Sequence, residues 1–242
     1  MASTASAKIT SEKVLDAYLN SYTSFNDWLI GRRYRKLKDY FTGNSCLELG
    51  SAEGTGTKHL LDHFNKVVAV DGSPLAVASI KRKYPTERLV AVNSFFENME
   101  FGIERFDTIV MAHILEHVDD PLQVLLQAKK FLAPNGVMII DVPNGGSLHR
   151  HVGVKMGLLG KHTDLNEADL SIGHQRVYTP ETFQEDINNA GLNIKEFGGM
   201  FIKVLSNTQT EKVFNQDQLE ALFKVGEDHP HVAAEMFIVA TN

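Results

Sequence analysis

Between Leu47 and Gly56 the chain reads Leu-Glu-Leu-Gly-Ser-Ala-Glu-Gly-Thr-Gly. A short apolar run stops there in a turn of small residues, and a helical pattern follows. Gly50 and Gly54 permit a tight turn and a close approach of backbone to a ligand, whose polar groups the helix amides can face. Glycines also serve such turns for packing alone. A second apolar run, Val67-Val68-Ala69-Val70, ends in Asp71. That acid lies roughly twenty residues beyond the turn, the spacing of a carboxylate that accepts hydrogen bonds from both hydroxyls of a ribose. The same acid could instead cap the helix beginning near Ser73. Turn and acid together describe a nucleotide site. They leave dinucleotide-binding dehydrogenases open, although those usually show Gly-x-Gly-x-x-Gly.

Ten histidines supply the remaining chemistry. His117 lies four residues beyond His113, so on a helix both would project from one side. His117 is a candidate base or substrate anchor; its alternative is a structural ring hydrogen-bonded at a helix start. His174 is the second catalytic candidate, in Gly173-His174-Gln175-Arg176-Val177-Tyr178; its alternative is to tether that segment to the core. His149, His151 and His162 with Asp164 match no tight ligand spacing, and no metal is expected. Ser51, Ser94 and Cys46 form no arrangement of nucleophile and base, which disfavours covalent catalysis.

The elements that must position these residues show in the periodicity. Val14, Leu15, Tyr18, Leu19, Tyr22 and Phe25 recur at helical spacing, then Trp28, Leu29, Tyr34, Leu37 and Phe41, giving a helical cap over 11–42 with Ser11 as N-cap. From Ser45 short apolar runs alternate with helical segments, the signature of βαβ units and a parallel sheet. The strands are expected at Cys46–Leu49, Val67–Val70, Leu89–Val92, Thr108–Met111 and Val137–Asp141. Helices are expected between them at Gly56–His63, Ser73–Tyr84 and Pro121–Phe131. The core spans 45–144. A polar interlude, 145–177, is too long for an ordinary connection and reads as a lid, a helical insertion or disorder. In 178–242 a helix runs from Thr179-Pro180 to Ala190, a strand from Ile194 extends through Val204, Gln216–Val225 is helical, and Glu235–Ala240 is a late antiparallel strand.

Composition narrows the function. With 24 Lys and Arg against 30 Asp and Glu the formal charge is -6, so a phosphate backbone gains no general attraction. The basic cluster from Arg32 to Lys38 fits the solvated face of an amphipathic helix. The single cysteine, Cys46, fits a reducing compartment and reads as a buried thiol. No apolar stretch reaches the length of a membrane span, and the first residues lack the apolar core of a signal peptide. The expectation is a cytoplasmic protein of one domain over 1–242.

Glu48 before the turn, the Gly50-Ser51-Ala52-Glu53-Gly54 spacing and Asp71 together resemble the class I S-adenosylmethionine-dependent methyltransferases, whose first motif is typically Glu/Asp-x-Gly-x-Gly-x-Gly. Ala52 stands where the middle glycine is usual. The likeness continues in Asn93-Ser94-Phe95-Phe96-Glu97, where Phe95 replaces a common Asp. It is most specific in His113-Ile114-Leu115-Glu116-His117-Val118, similar to the segment after the fourth strand of small-molecule methyltransferases of the ubiquinone-biosynthesis type. Asp141-Val142-Pro143-Asn144, Ser147-Leu148-His149-Arg150 and Gly173 to Pro180 extend it over most of 45–200.

The resemblance implies an α/β fold, Rossmann-like and doubly wound, with a mainly parallel seven-stranded sheet, an N-terminal helical cap and an inserted lid. It implies S-adenosylmethionine as cofactor, with S-adenosylhomocysteine as product. The cofactor would be held by Glu48, Gly50, Ser51, Ala52, Gly54, Asp71, Gly72, Ser94, Phe95, Phe96, Ala112 and His113, with Tyr22 and Arg33 reaching the methionine carboxylate from the cap. Phe95 or Phe96 would flank the adenine, each equally a core residue. The implied acceptor is the N or O of a small molecule, without nucleic acid or membrane as partner. The oligomeric state is left open, a homodimer among the options. Rivals are a protein or RNA methyltransferase and a cofactor-binding module without catalysis.

Overall fold

The computed structural model describes Asn20 and residues 22–242. The expected Ser11 cap and Val14, Leu15, Tyr18 and Leu19 lie outside the described residues. The described chain opens on α1 (Ser24–Leu37) and a 3-10 turn at Lys38–Tyr40. It continues through β1 (Ser45–Leu49), α2 (Thr55–Leu61), β2 (Lys66–Asp71), α3 (Pro74–Lys83), β3 (Leu89–Asn93), β4 (Phe106–Ala112), α4 (Pro121–Lys129) and β5 (Leu132–Pro143). The 145–177 region carries α5 (Leu148–Lys155) and α6 (Glu167–Ser171). It is followed by α7 (Pro180–Asn189), β6 (Asn193–Met200), α8 (Asn207–Val213), α9 (Gln216–Asp228) and β7 (Glu235–Thr241).

The strands form one seven-stranded sheet in the order β3-β2-β1-β4-β5-β7-β6. β1 to β5 are parallel along that order, and β7 pairs antiparallel with both β5 and β6. β1 lies between β2 and β4 and is covered on both faces, so Cys46, Leu47 and Leu49 are all fully buried. A strand covered on two sides reads as a continuous apolar run, which is why β1, β2 and β4 were visible in sequence. On one face Leu47, Leu49, Ile109 and Met138 join Leu125 from α4 and Phe183 and Ile187 from α7. On the other, Phe25, Leu29 and Leu37 of α1 pack with Ile139, Val239 and Phe223 of α9.

The direction change of the sheet falls at β1 and β4, whose carboxyl ends open on the Gly50 turn and on His113. Three local differences from the sequence reading have physical causes. β6 stops at Met200 instead of extending to Val204, because buried Phe201 adopts φ +62° and turns the chain away. α8, which was not anticipated, is started by Ser206 and Gln209 in a reciprocal capping box. Residues 113–120 form turns, not a helix, since His113 sits at φ +55°.

Candidate functional site

Gly50 and Gly54 both have φ +79°, the left-handed conformation in which a side chain is strained. Gly50 N–H donates to Val70 O at 2.8 Å, which ties the turn to the end of β2. Ala52 shares the left-handed region at φ +42°. Its amide donates to Asp71 Oδ2 at 2.9 Å, and the Ser73 amide donates to Oδ1 at 2.8 Å. The cap of α3 is Ser73 itself, whose hydroxyl accepts from Ala76 N–H, so helix capping is not what Asp71 does. With two oxygens and about four lone-pair positions, the Asp71 carboxylate retains acceptor capacity beyond its amide bonds. Burial raises this carboxyl above its usual range, opposed by the amides of Ser73, Ala52 and Ser51.

Beside Asp71, Asn93 and the Ser94 amide bond the Asp71 carbonyl, fixing the β3 end against β2. The two aromatics that follow separate cleanly. Phe96 packs on the main core, whereas Phe95 is 63% exposed. Tyr22 donates to Asp27 at 2.8 Å and lies 3.5 Å from the Thr55 hydroxyl, which brings the cap to the start of α2. Gly72 and Ala112 sit partly exposed at the ends of β2 and β4.

Glu48, expected to contact the cofactor, lies instead beneath the turn. It is 2% exposed and accepts from the Thr57 hydroxyl at 2.7 Å. Burial pushes its carboxyl up to about 8, against the Thr57 bond and with a further rise from Asp71. The folded value exceeds the ordinary 4.5, so as pH rises from 4.5 towards 8 the unfolded chain ionises first and stability is lost. Glu48→Gln removes that penalty. Its melting temperature is expected to match the parent near pH 5 and to exceed it at pH 8 by several degrees, about 2–4 °C per kcal/mol. A gain of equal size at both pH values would show that Glu48 is already ionised.

Arg33, placed by the resemblance at the methionine carboxylate, is 6% exposed and engaged internally. Its Nη2 donates to Glu235 Oε1 at 2.7 Å and lies 2.8 Å from His113 Nε2. Its Nε donates to Glu235 Oε2 at 3.1 Å and lies 3.3 Å from Asp141. Burial opposes the charge of Arg33, but Asp141 and Glu235 outweigh it. Burial also acts against the Glu235 carboxylate, yet Arg33 and His113 hold it well below its usual range. In contrast, burial pushes Asp141 up to about 6 in spite of Arg33. Sequence reasoning missed Asp141 and Glu235 as members of this cluster, because each reads as an ordinary residue of a strand.

The second group lies in the turns after β4. His113 Nδ1 is 3.4 Å from Glu116 Oε1. His117 and His174 meet edge to face, with ring centroids 4.7 Å apart. The end of the 145–177 region is bound onto these turns, as Gln175 N–H donates to Glu116 O at 2.8 Å and Arg176 reaches Leu115 O at 2.6 Å. His174, 9% exposed, has Nδ1 3.5 Å from Asp169, which Arg150 grips at 3.1 Å. Of the histidines at 149–162, His151 and His162 lie with tilted rings, centroids 5.0 Å apart, and His162 Nδ1 lies 3.2 Å from Gly145 O. Cys46 is a buried free thiol, as its apolar run implied. None of the described helices is long and apolar enough to cross a membrane.

Against known proteins, a methyltransferase-domain family model matches residues 25–196, well over half the chain. A stretch of 168 residues is 24% identical to a "probable S-adenosylmethionine-dependent methyltransferase" of Mycolicibacterium smegmatis, covering 69% of this chain and 59% of that protein. Over 118 residues the identity is 30% to a ubiquinone biosynthesis O-methyltransferase of Pasteurella multocida, covering 43% of this chain and 48% of that one. The chain thus spans about half the length of the curated relatives it matches. Among solved structures, an S-adenosylmethionine-dependent methyltransferase from Mesorhizobium loti superposes with TM-score 0.64 at 12% identity, covering 87% of this chain and 96% of that one. The N-methyltransferase NodS of Bradyrhizobium japonicum, in complex with S-adenosyl-L-homocysteine, does so with TM-score 0.58 at 17% identity and 96% coverage of both. At such identities the likeness is one of fold.

Proposed function

The chain belongs to this methyltransferase-domain family, among the S-adenosylmethionine-dependent methyltransferases, and on that premise we propose that it methylates an oxygen or nitrogen of a small-molecule acceptor. The observation that carries the reading is convergence. The Gly50 turn, the Asp71 carboxylate, exposed Phe95 and the His113–His117 turns all lie at the carboxyl ends of adjacent strands, where ligands of doubly wound sheets bind. The residues present fit the cofactor: Asp71 has free acceptor capacity for a pair of hydroxyls, and Phe95 offers an uncovered ring for a base. When bound, S-adenosylmethionine supplies a methyl group already activated by its sulfonium.

The chain's own part is to bind, orient and exclude water. Asp71 takes the ribose hydroxyls, and Phe95 flanks the adenine while Phe96 stays in the core. Gly50, Ser51, Ala52 and Gly54 shape the turn alongside, with Gly72, Ser94 and Ala112 bordering it. Tyr22 closes from the cap and His113 borders the acceptor side. Arg33 and Glu48 act from beneath, as positioning residues. His117 and His174 stand where the acceptor's polar atom and its proton are handled. The cap and the 145–177 lid wall the acceptor off from solvent within a single domain.

Charge supports a small acceptor: the formal charge of the chain is -6, which gives a phosphate backbone no general attraction. Incubation with S-adenosylmethionine and separate panels of small phenols, alcohols, amines, total RNA and denatured protein tests this. S-adenosylhomocysteine release is expected with members of the small-molecule panels and to be lost in His174→Ala. Release with RNA or protein alone would refute the acceptor assignment. Cofactor binding without turnover on any panel would favour a regulatory module.

A further inference from the structure

Among the described residues two clusters bring three metal-capable side chains together, with ligand atoms within 4.8 Å of one another: His113, Asp141 and Glu235, and Glu116, His117 and His174. They differ in one decisive respect. The first already contains a cation, since the Arg33 guanidinium lies 2.7 Å from Glu235 and 3.3 Å from Asp141. The second contains no guanidinium or ammonium group; the basic group beside it is the His113 ring, whose Nδ1 lies 3.4 Å from Glu116 Oε1 without a hydrogen bond. Glu116 is 1% exposed, and neither of its carboxylate oxygens has a hydrogen-bond partner among the described residues. His117 Nδ1 is likewise buried without a partner. A buried carboxylate so placed is costly unless something positive meets it.

We propose that Glu116, His117 and His174 form a binding site for a divalent first-row transition metal, which leaves coordination positions open for an oxygen of the acceptor. Two imidazoles and one carboxylate are the donor set of open catalytic sites for zinc and iron(II), and too rich in nitrogen to favour magnesium or calcium. The outer contacts match. Asp169 at 3.5 Å from His174 Nδ1 directs that ring, leaving Nε2 as its second nitrogen, and Arg150 fixes Asp169 from the other side. A carboxylate behind a ligating histidine is the usual arrangement around such metals. His117 offers Nδ1, buried and without a hydrogen-bond partner among the described residues, as the atom facing the shared position.

The site deepens the proposed function, on which it rests only for the acceptor's chemistry: a metal with open positions favours hydroxylated acceptors over amines. Binding itself is measured independently. The full chain is stripped with chelator and titrated calorimetrically with Zn2+, and the visible spectrum of Co2+ is recorded in parallel. S-adenosylhomocysteine binding and far-UV circular dichroism report on folding and on the cofactor site. One saturable metal site is expected, with a Co2+ spectrum of low coordination number. His174→Ala and Glu116→Gln should abolish it and Asp169→Asn should weaken it about 10–100-fold, all with S-adenosylhomocysteine affinity retained. A folded parent chain that takes up neither metal overturns the site, and so does metal binding that survives His174→Ala. Failure to bind S-adenosylhomocysteine with metal binding intact would count against the methyltransferase reading alone.

Discussion

Replacing Asp71 by Ala is expected to lower affinity for S-adenosylhomocysteine by about 100-fold or more. Two bonds from hydroxyls to an ionised carboxylate contribute about 1.5–3 kcal/mol each, and a loss of about 2.8 kcal/mol already gives 100-fold. A second effect adds to this. The Ala52 amide donates to Asp71 Oδ2 at 2.9 Å, so the variant also releases the strained turn from the end of β2. Asp71→Asn separates the two, because the amide keeps one acceptor oxygen but replaces the other with a donor. Calorimetric titration of parent, Asn and Ala forms should give a graded loss. Affinity unchanged in the Ala form would remove the ribose from this site. It would also reopen the choice between nucleotide classes, for which titration with NAD is the control.

The largest expected effect on stability comes from Arg33→Met. The guanidinium sits between Glu235 and Asp141 with 6% of its surface exposed, and its removal leaves two buried carboxyls facing the His113 ring in place of a permanent cation. Breaking a buried pair in this way costs about 3–5 kcal/mol, which corresponds to a fall of roughly 10 °C in melting temperature for a chain of this size. The pH dependence identifies the cause. In the parent, Arg33 holds Glu235 well below its ordinary 4.5, so that group stabilises the fold above 4.5 and ceases to do so in acid. In the variant the carboxyls are raised instead, so the deficit should be smallest near pH 4 and grow as pH rises. Adding Glu235→Met should recover part of the loss, with a coupling visible in a double-mutant cycle. Cofactor affinity in the folded variant settles what else Arg33 does. An unchanged value fits a purely positioning role, whereas a 100-fold loss would return Arg33 to the methionine carboxylate.

What could be read in the sequence was whatever leaves a local trace. Leu47, Leu49, Val67 to Val70 and Ile109 to Met111 form apolar runs because their strands are covered on both faces, and each announced a strand within two or three residues of its bounds. The Gly50 turn and Asp71 were legible because the geometry that joins them fixes their spacing. What escaped depended on distance along the chain or on a single dihedral. No local pattern links Arg33 to Glu235, 202 residues away. Nor does any pattern announce that His113 and Phe201 have positive φ, and those two residues cancelled a helix at 113–117 and a strand beyond Met200. The Glu116, His117 and His174 cluster escaped for a related reason. His174 arrives near the end of the 145–177 region, and its ring contact with His117 and the bonds from Gln175 and Arg176 show that it docks there.

The reach of Arg33 to Glu235 also sets an order of events in folding. α1 leaves the ribosome early, but its charged partner is carried by β7, which is made 202 residues later and is inserted between β5 and β6. Until β7 is in place, docking α1 would bury a guanidinium opposite Asp141 alone, and the closure of so long a loop is slow. The Arg33–Glu235 contact is therefore one of the last that the growing chain can close. A nascent chain that has finished β1 to β5 exposes the apolar stripe of α1, Phe25, Leu29 and Leu37, for the whole interval in which β6 and β7 are still being synthesised. That interval is when the protein is most open to aggregation and to chaperones.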